Sequence, residues 1–416
     1  MKRPRIWRRG QFWVPGNRLE LLENGEEYFP RVFAAIARAE REVFVETFIL
    51  FDDHTGRGLQ AAVIAAARRG VRVELTVDGY GSADLPDAFI AAMTGAGVRF
   101  HVFDPRPRLL GFRTNLFRRL HRKLVVIDGR LAFVGGINFA DDHLRASGPG
   151  SKQDWAVQVE GPVVDDIHRL VESFAGPVET RWQRLRRWTR GRRSLAAAAQ
   201  HARAGEADAT LAQAALVVRD NQGHRQDIER HYRAAIRSAR RELIIANAYF
   251  FPGFRLLRAL RGAARRGVDV CLILQGRPDM PFVRWATVTL YDYLLLGGVK
   301  IYEYRERPLH GKVAVVDDDW STVGSSNLDP LSLFLNLEAN LIIRSRDFAF
   351  ILRERLRRLI REHCEQLDAQ QARERTLPRQ LLSFLAFHLM RWFPSLAGWL
   401  PAHTPRHQVI PRPEAE

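Results

Sequence analysis

The stretch "HRKLVVIDGRLAFVGGIN", His121 to Asn138, returns nearly intact as "HGKVAVVDDDWSTVGSSN", His310 to Asn327. Each copy reads His-x-Lys, then an Asp five residues beyond the Lys, a Gly seven later and an Asn three after that. A His and a Lys repeated at fixed spacing predict one site assembled from two halves of the chain.

The duplication extends outward from these strings. "RVFAAIARAEREVFVETFIL" (31–50) aligns with "HYRAAIRSARRELIIANAYF" (231–250), and "AAARRGVRVELTVDG" (65–79) with "GAARRGVDVCLILQG" (262–276). The blocks keep the same order in both halves, which marks an internal repeat. Val32, Ala35, Ile36 and Ala39 have helical spacing with charge between them. "EVFVETFIL" is β-branched and aromatic and predicts a strand. "LQAAVIAAARRG" predicts a helix closed by Gly70, followed by the strand "VRVELTVDG". Apolar runs such as "KLVVI" and "KVAVV" suit strands buried on both faces. The expected fold class is α/β: two duplicated α-β-α sandwich lobes with mixed, largely parallel sheets. The expected divisions are an N-terminal lobe over 1–180, a basic and Ala-rich linker over 181–216, a C-terminal lobe over 217–370 and an amphipathic tail over 371–416.

The formal net charge is +17. It predicts a polyanionic partner: nucleic acid, an anionic membrane surface or a phosphate-bearing substrate. The two cysteines, Cys271 and Cys364, build neither a disulfide framework nor a zinc site. Cys271, inside "VDVCLILQG", is expected in the core, and Cys364 in a charged helix. The N-terminal "MKRPRIWRRGQFWVPGN" carries charge without an apolar run, which argues against a secretory signal. No window offers 18 uncharged apolar residues, which argues against a spanning helix. In the linker, "RWQRLRRWTRGRR" holds seven arginines in thirteen residues around Trp182 and Trp188. It reads either as a solvated basic face or as a surface that grips phosphates.

Strand alternation places His121 and Lys123 on one face, and His310 and Lys312 likewise. Asp128 and Asp317 fall on the opposite face or in the following turn, and are expected to hold backbone amides there. Gly136 and Ser325, in "GG" and "GSS", are expected to let an anion approach closely, with Asn138 and Asn327 as amide donors. Two adjacent lysines are tolerable only if a bound anion such as phosphate neutralises them. Two histidines suit a two-step transfer, one as nucleophile and one as acid and base. The lysines supply the electrostatic stabilisation, so no metal and no cofactor are called for. Each His needs a carboxylate on its other nitrogen. Asp154 and Glu338, 33 and 28 residues after their respective histidines, are the expected orienters. His54, His101, His143, His224 and His388 lack such company and are expected to be surface or core residues.

These residues resemble the phospholipase D superfamily, whose hallmark is a paired His-x-Lys-x4-Asp motif. The resemblance covers roughly residues 10–370. More narrowly, "HGKVAVVDDDWSTVGSSNLDPLSLFLNLEANLII", "LAFVGGINFADDH" and "KQDWAVQVEGPVV" resemble the bacterial cardiolipin synthases, in particular the short B-type enzymes. The resemblance implies a bilobed fold with pseudo-twofold symmetry. It implies transfer of a phosphatidyl group from phosphatidylglycerol to a second phospholipid through a phosphohistidine. It also implies that His121 is the nucleophile, that His310 is the acid and base, and that Asp128 and Asp317 belong to the site in a supporting role.

A lipid substrate requires docking at a bilayer. Two segments qualify. Residues 377–400 combine Leu381, Leu382, Leu385, Leu389, Trp392, Phe393 and Trp399 with Arg379 and Arg391. "RPRLLGFRTNLFRRL" (106–120) sets apolar residues among five arginines just ahead of His121. The expected partners are phospholipids and an anionic membrane surface rather than nucleic acid. The expected location is peripheral, at the cytoplasmic face of a bacterial inner membrane. The competing readings are a nuclease or lipid hydrolase with the same cleft chemistry, and a non-catalytic lipid-surface scaffold.

Overall fold

The computed structural model describes residues 13–105, 118–175, 211–276, 290–368 and 406–412. The Arg-rich run 181–193, the tail segment 377–400 and most of 106–120 lie outside these residues.

Both halves fold by one plan. In the first, β1 (Val14–Glu23) leads into α1 (Asn24–Ala37), β2 (Glu42–Thr47), α2 (His54–Arg68), β3 (Arg72–Asp78), α3 (Asp87–Gly95) and β4 (Arg99–Phe103). The hairpin β5 (Leu124–Ile127) and β6 (Leu131–Gly135), then β7 (Trp155–Glu160) and α4 (Val164–Ala175), complete it. The second half repeats this with β8 (Ala212–Arg219), α5 (Asp227–Ser238), β9 (Glu242–Asn247), α6 (Phe254–Arg265), β10 (Asp269–Gln275) and β11 (Lys300–Tyr304). It closes with β12 (Lys312–Val316), β13 (Trp320–Gly324), the short α7 (Pro330–Phe334), β14 (Glu338–Arg344), α8 (Arg346–His363) and β15 (Cys364–Gln366). A last strand, β16 (His407–Val409), pairs with β4.

The described strands join in one mixed sheet of order β15-β11-β10-β9-β12-β13-β14-β8-β1-β7-β6-β5-β2-β3-β4-β16. Read outward from the β8–β1 seam, the two wings list corresponding strands in the same sequence, so the sheet displays the pseudo-twofold axis directly. Among the named strands, parallel pairing is confined to β2-β3-β4 and β9-β10-β11, where helices make the crossovers. The remaining pairs are antiparallel, because β5–β6 and β12–β13 are joined by tight turns. The expectation of largely parallel sheets is corrected accordingly. Ile127 pairs with Leu131, and in the three-residue loop between them Asp128 and Gly129 both have positive φ, 52° and 64°, while Arg130 N–H donates to Ile127 O.

The helices close as their sequences predict. After α2, Gly70 has φ +88° and Val71 N–H returns to Ala66 O; after α6, Gly267 and Val268 do the same with Ala263 O. Two boundaries differ from expectation. β8 begins at Ala212, inside the stretch expected as linker, and β16 places part of the expected tail on the sheet edge. Cys271 is buried in β10, whereas Cys364 starts β15 rather than lying in a helix.

Among the described residues three large apolar clusters hold the molecule together, beside a small one of Phe103, Leu120 and Leu337. Val32, Val63, Leu75 and Phe100 centre one in the first lobe, and Leu243, Leu260, Leu272 and Ile301 one in the second. The third unites the lobes: Trp155, Val157, Ile167, Leu309, Val313, Leu341, Leu352 and Leu356 pack around the seam. Each such fully buried side chain contributes roughly 1.5–3 kcal/mol relative to exposure. The seam cluster therefore fixes how the two halves face each other, and with it the geometry of whatever lies between them.

Candidate active site

Each His-x-Lys segment is stitched to the opposite lobe. His121 N–H donates to Leu337 O at 3.0 Å and Leu337 N–H to Arg119 O at 2.8 Å. His310 N–H donates to Gln153 O at 2.8 Å and Gln153 N–H to Pro308 O at 2.8 Å. These two parallel bridges are related by the pseudo-twofold axis. They place each histidine beside the residue that follows the other lobe's bridge, which is Glu338 for His121 and Asp154 for His310.

The side chains follow the backbone. His121 Nδ1 meets Glu338 Oε2 at 3.0 Å, and His310 Nδ1 meets Asp154 Oδ2 at 2.6 Å. The two expected orienters are thus present, but each serves the histidine of the other half. That corrects the pairing expected from sequence order: β14 and β7 run beside the seam, so Glu338 at the start of β14 and Asp154 just before β7 reach across it. With Nδ1 held, Nε2 is the nitrogen each imidazole has free for chemistry.

The carboxylates are themselves supported. Ser325 Oγ donates to Glu338 Oε2 at 2.5 Å and accepts from Ala339 N–H. At the corresponding place Gly136 carries no side chain, and a Cβ there would overlap both Asp154 carboxylate oxygens. Trp155 N–H donates to Asp154 Oδ1 at 2.8 Å. Asn24, at positive φ, grips the Asp154 main chain with two bonds of 2.9 Å. Gly136 and Ser325 therefore back the orienting carboxylates, which corrects the expectation that they approach an anion themselves. Burial pushes Asp154 up to about 6.

Lys123 and Lys312 are both buried, and each ammonium donates to the carbonyl of the histidine two residues before it, His121 at 2.8 Å and His310 respectively. Burial depresses Lys123 to about 7 and Lys312 to about 8, with the Glu338 and Asp154 carboxylates opposing the shift at both and the charge of Lys312 adding to it at Lys123. Burial also lowers both histidines. His310 falls further than His121, because Lys312 and Lys152 crowd it with positive charge while Glu338 partly offsets the effect on His121. Asn138 and Asn327 are buried. Asn138 Oδ1 accepts from Ile49 N–H at 3.2 Å, and its Nδ2 has no hydrogen-bond partner.

Asp128 and Asp317 stand at the far ends of β5 and β12. Asp128 accepts from the backbone N–H groups of Glu40, Arg41 and Glu42 at 2.7–3.0 Å, and Asp317 from those of Arg240, Arg241 and Glu242. They tie the hairpin turns to the starts of β2 and β9, as turn residues do, and lie away from the imidazoles. Partial burial works against the charge on Asp128, but the amides outweigh it and hold the carboxyl below its ordinary range.

Three further features escape the sequence. Asp78 Oδ2 accepts from Leu120 N–H at 2.7 Å and Gln275 Oε1 from Leu309 N–H at 2.6 Å, so the ends of β3 and β10 hold the residue just before each histidine. Asp78 is a carboxyl residue clamped by buried Arg119, whereas the matching Gln275 carries an amide. His143 is buried, as the core reading expected, but its ring lies 5.4 Å from that of His310. Of these, only the matching positions of Asp78 and Gln275 in the repeat offered a signal.

Residues 32–172 and 232–360 match the family described as cardiolipin synthase, PLD-like domain. The chain belongs to this PLD-like cardiolipin synthase family. It is 56% identical to cardiolipin synthase B of Salmonella typhi over 96% of the chain and 94% of that relative. It is 54% identical to cardiolipin synthase B of Escherichia coli K12 with the same coverage. Cardiolipin synthase A of Pseudomonas fluorescens is 34% identical over 87% of the chain and 70% of its own length. In fold, the chain is similar to the crystal structure of phosphatidylserine synthase from Haemophilus influenzae, with a TM-score of 0.66, 14% identity and coverage of 92% and 96%. In this PLD-like cardiolipin synthase family member, both imidazoles and both buried lysines stand beside the cross-lobe bridges at the seam.

Proposed function

We propose that this chain is a cardiolipin synthase that moves a phosphatidyl group between phospholipids through a covalent phosphohistidine. One observation carries the reading. Each lobe supplies an imidazole whose Nδ1 is held by a buried carboxylate of the other lobe, with a buried lysine two residues away.

The chemistry divides into two displacements. His121 Nε2 attacks the phosphorus of phosphatidylglycerol, a P–N bond forms, and the P–O bond to the glycerol headgroup breaks. With the negative charge of the bound phosphate offsetting the surrounding lysines, His310 is protonated and donates that proton to the departing glycerol oxygen. A hydroxyl of a second phosphatidylglycerol then enters, loses its proton to His310 and attacks phosphorus, giving cardiolipin and free His121. Glu338 stabilises the charge that His121 acquires, and Asp154 does the same for His310. Lys123 and Lys312, with the Asn138 and Asn327 amides, offset the negative charge on the non-bridging oxygens. Buried lysines depressed toward neutrality become fully charged when the phosphate enters, so the cations are strongest when the anion is present.

Membrane access completes the reading. The chain carries +17, and among the described residues no helix is long and apolar enough to cross a membrane. Peripheral docking on an anionic inner-membrane face, with phospholipids as partners, accounts for both. Labelled phosphatidylglycerol in vesicles, followed by lipid separation, tests the function. Labelled cardiolipin with release of glycerol is expected; phosphatidic acid alone would mean hydrolysis, and no conversion would refute the reading.

A further inference from the structure

The two halves of the site are not equivalent around their histidines. Phe48 lies against His121, with ring centroids 5.0 Å apart, and its repeat counterpart is Ala248. His143 lies edge-on to His310, at 5.4 Å and 75°, and its repeat counterpart is Ser332. One imidazole therefore borders an apolar ring, the other a hydrogen-bonding one.

His143 is held firmly. It ends the turn Asp141–His143, whose Asp141 carboxylate accepts from His54 N–H at 3.1 Å and Thr55 N–H at 2.8 Å. Asp141 N–H in turn donates to Asp53 Oδ2 at 2.7 Å. The side chain is fully buried. Its Nε2 accepts from Asn138 N–H at 3.2 Å, which places the proton of the neutral ring on Nδ1. Nδ1 is buried and makes no hydrogen bond. A buried N–H without a partner is costly unless a ligand completes it.

A ring nitrogen of His143 lies within 4.8 Å of a ring nitrogen of His310 and a carboxylate oxygen of Asp154. These three could hold a metal ion by residue type alone. The charge around them opposes that: Lys152, Lys312, Lys123 and Arg307 all act on His143. A divalent cation is repelled there, whereas an oxygen acceptor beside a phosphate is attracted.

We propose that His143 donates its Nδ1–H to the alcohol on the His310 side of the reacting phosphorus, first the leaving glycerol and then the incoming hydroxyl. The assignment rests on the phosphatidyl-transfer reading and specifies it: the alcohol subsite is built for a polyol. His143 keeps its proton throughout, and the transferred proton moves only between His310 and the alcohol oxygen. Phe48 leaves the His121 side apolar.

Exchange of labelled glycerol into phosphatidylglycerol, the first displacement run in reverse, reads this subsite directly. Three full-length variants are compared with the wild type. His143→Leu removes the donor. His143→Asn keeps an amide N–H near the Nδ1 position, and His143→Gln places one near Nε2 instead. The glycerol KM should rise about tenfold in His143→Leu, the worth of one lost hydrogen bond. It should recover in His143→Asn and not in His143→Gln, with thermal midpoints alike. An unchanged glycerol KM in a folded His143→Leu would overturn the proposal. If that variant fails to fold, equal glycerol KM values in the Asn and Gln variants would overturn it equally. A wild-type protein that forms cardiolipin while these variants behave alike refutes only the role of His143. A wild-type protein that neither exchanges glycerol nor forms cardiolipin refutes the transfer reading and this proposal together.

Discussion

His121 Nδ1 and Glu338 Oε2 lie 3.0 Å apart although 217 residues separate them in the chain. His310 and Asp154 repeat the relationship at 2.6 Å across 156 residues. Neither lobe contains a histidine together with its own orienting carboxylate. In the proposed mechanism the fused, seamed sheet is thus a requirement of the chemistry and not only of stability.

Crossed pairing makes a specific prediction for the carboxylates. Glu338→Gln keeps the shape and removes the charge facing His121; Asp154→Asn does the same to His310. Each should lower turnover about 10²–10⁴-fold, the range over which positioned acid and base groups act. In single-turnover experiments Glu338→Gln should slow formation of the phosphohistidine. Asp154→Asn should allow that step to be restored by a lipid with a better leaving group, because His310 then has no proton to supply. Turnover within tenfold of wild type in Glu338→Gln, with folding retained, would contradict the pairing.

The shell behind the carboxylates is asymmetric, and substitution should expose it. Ser325→Ala removes a hydroxyl bonded to Glu338 and should cost about 1 kcal/mol of transition-state stabilisation, roughly fivefold in kcat. Gly136→Ala inserts a methyl group where the Asp154 carboxylate lies, so that side chain must move away from His310. Its kcat should fall further than that of Ser325→Ala, with little change in KM. Steady-state kinetics on phosphatidylglycerol vesicles check the order.

What the sequence revealed and what it concealed have separate physical causes. His121 and Lys123, and His310 and Lys312, were legible because strand alternation fixes which residues share a face. Asp128 and Asp317 were legible as turn residues because they fall an odd number of positions from the histidines. The crossing of Asp154 and Glu338 was not, because pairing depends on how β7 and β14 meet at the seam. β1 escaped notice since "VPGNRLELLE" is polar and lacks β-branched runs, yet it pairs on both sides. Gly136 and Ser325 read as anion contacts from composition, and only packing against the carboxylates assigns them otherwise. His143 is matched in the repeat by Ser332 and not by a second histidine, so the duplication that exposed the rest of the site hid it.

The turn aspartates should matter to folding more than to chemistry. Asp128→Ala leaves the backbone amides of Glu40, Arg41 and Glu42 without their acceptor. A loss of about 1–2 kcal/mol in unfolding free energy is expected, similar to loss of a helix cap. kcat should change less than threefold at a temperature where the variant is folded. Asp128→Asn keeps one acceptor oxygen and should lie between. Denaturant melts paired with lipid assays separate the two effects; a large loss of kcat at unchanged stability would place Asp128 in the reacting centre instead.

The buried lysines give the site a pH signature whose sign can be worked out. Burial holds Lys123 at about 7 and Lys312 at about 8 in the folded protein, against about 10.4 for an unfolded chain. Between these values the unfolded state binds more protons, so their contribution makes the fold more stable as pH rises from about 7 to about 10. Below pH 7 the penalty of two buried ammonium groups is fully present. A bound dianion reverses the balance, because its charge stabilises both ammonium forms in the same low-dielectric space. Anion binding at pH 8 must therefore draw protons from solution. Sulfate, which does not titrate in this range, isolates the protein's share. Calorimetry in buffers of different ionisation heat should show an uptake of roughly one proton or more per sulfate bound. Lys123→Met should reduce that uptake, and the wild-type affinity should weaken as pH rises from 7 to 9. Binding heats that do not depend on the buffer would mean that the lysines are already charged in the free enzyme, and that the phosphate does not bind between them.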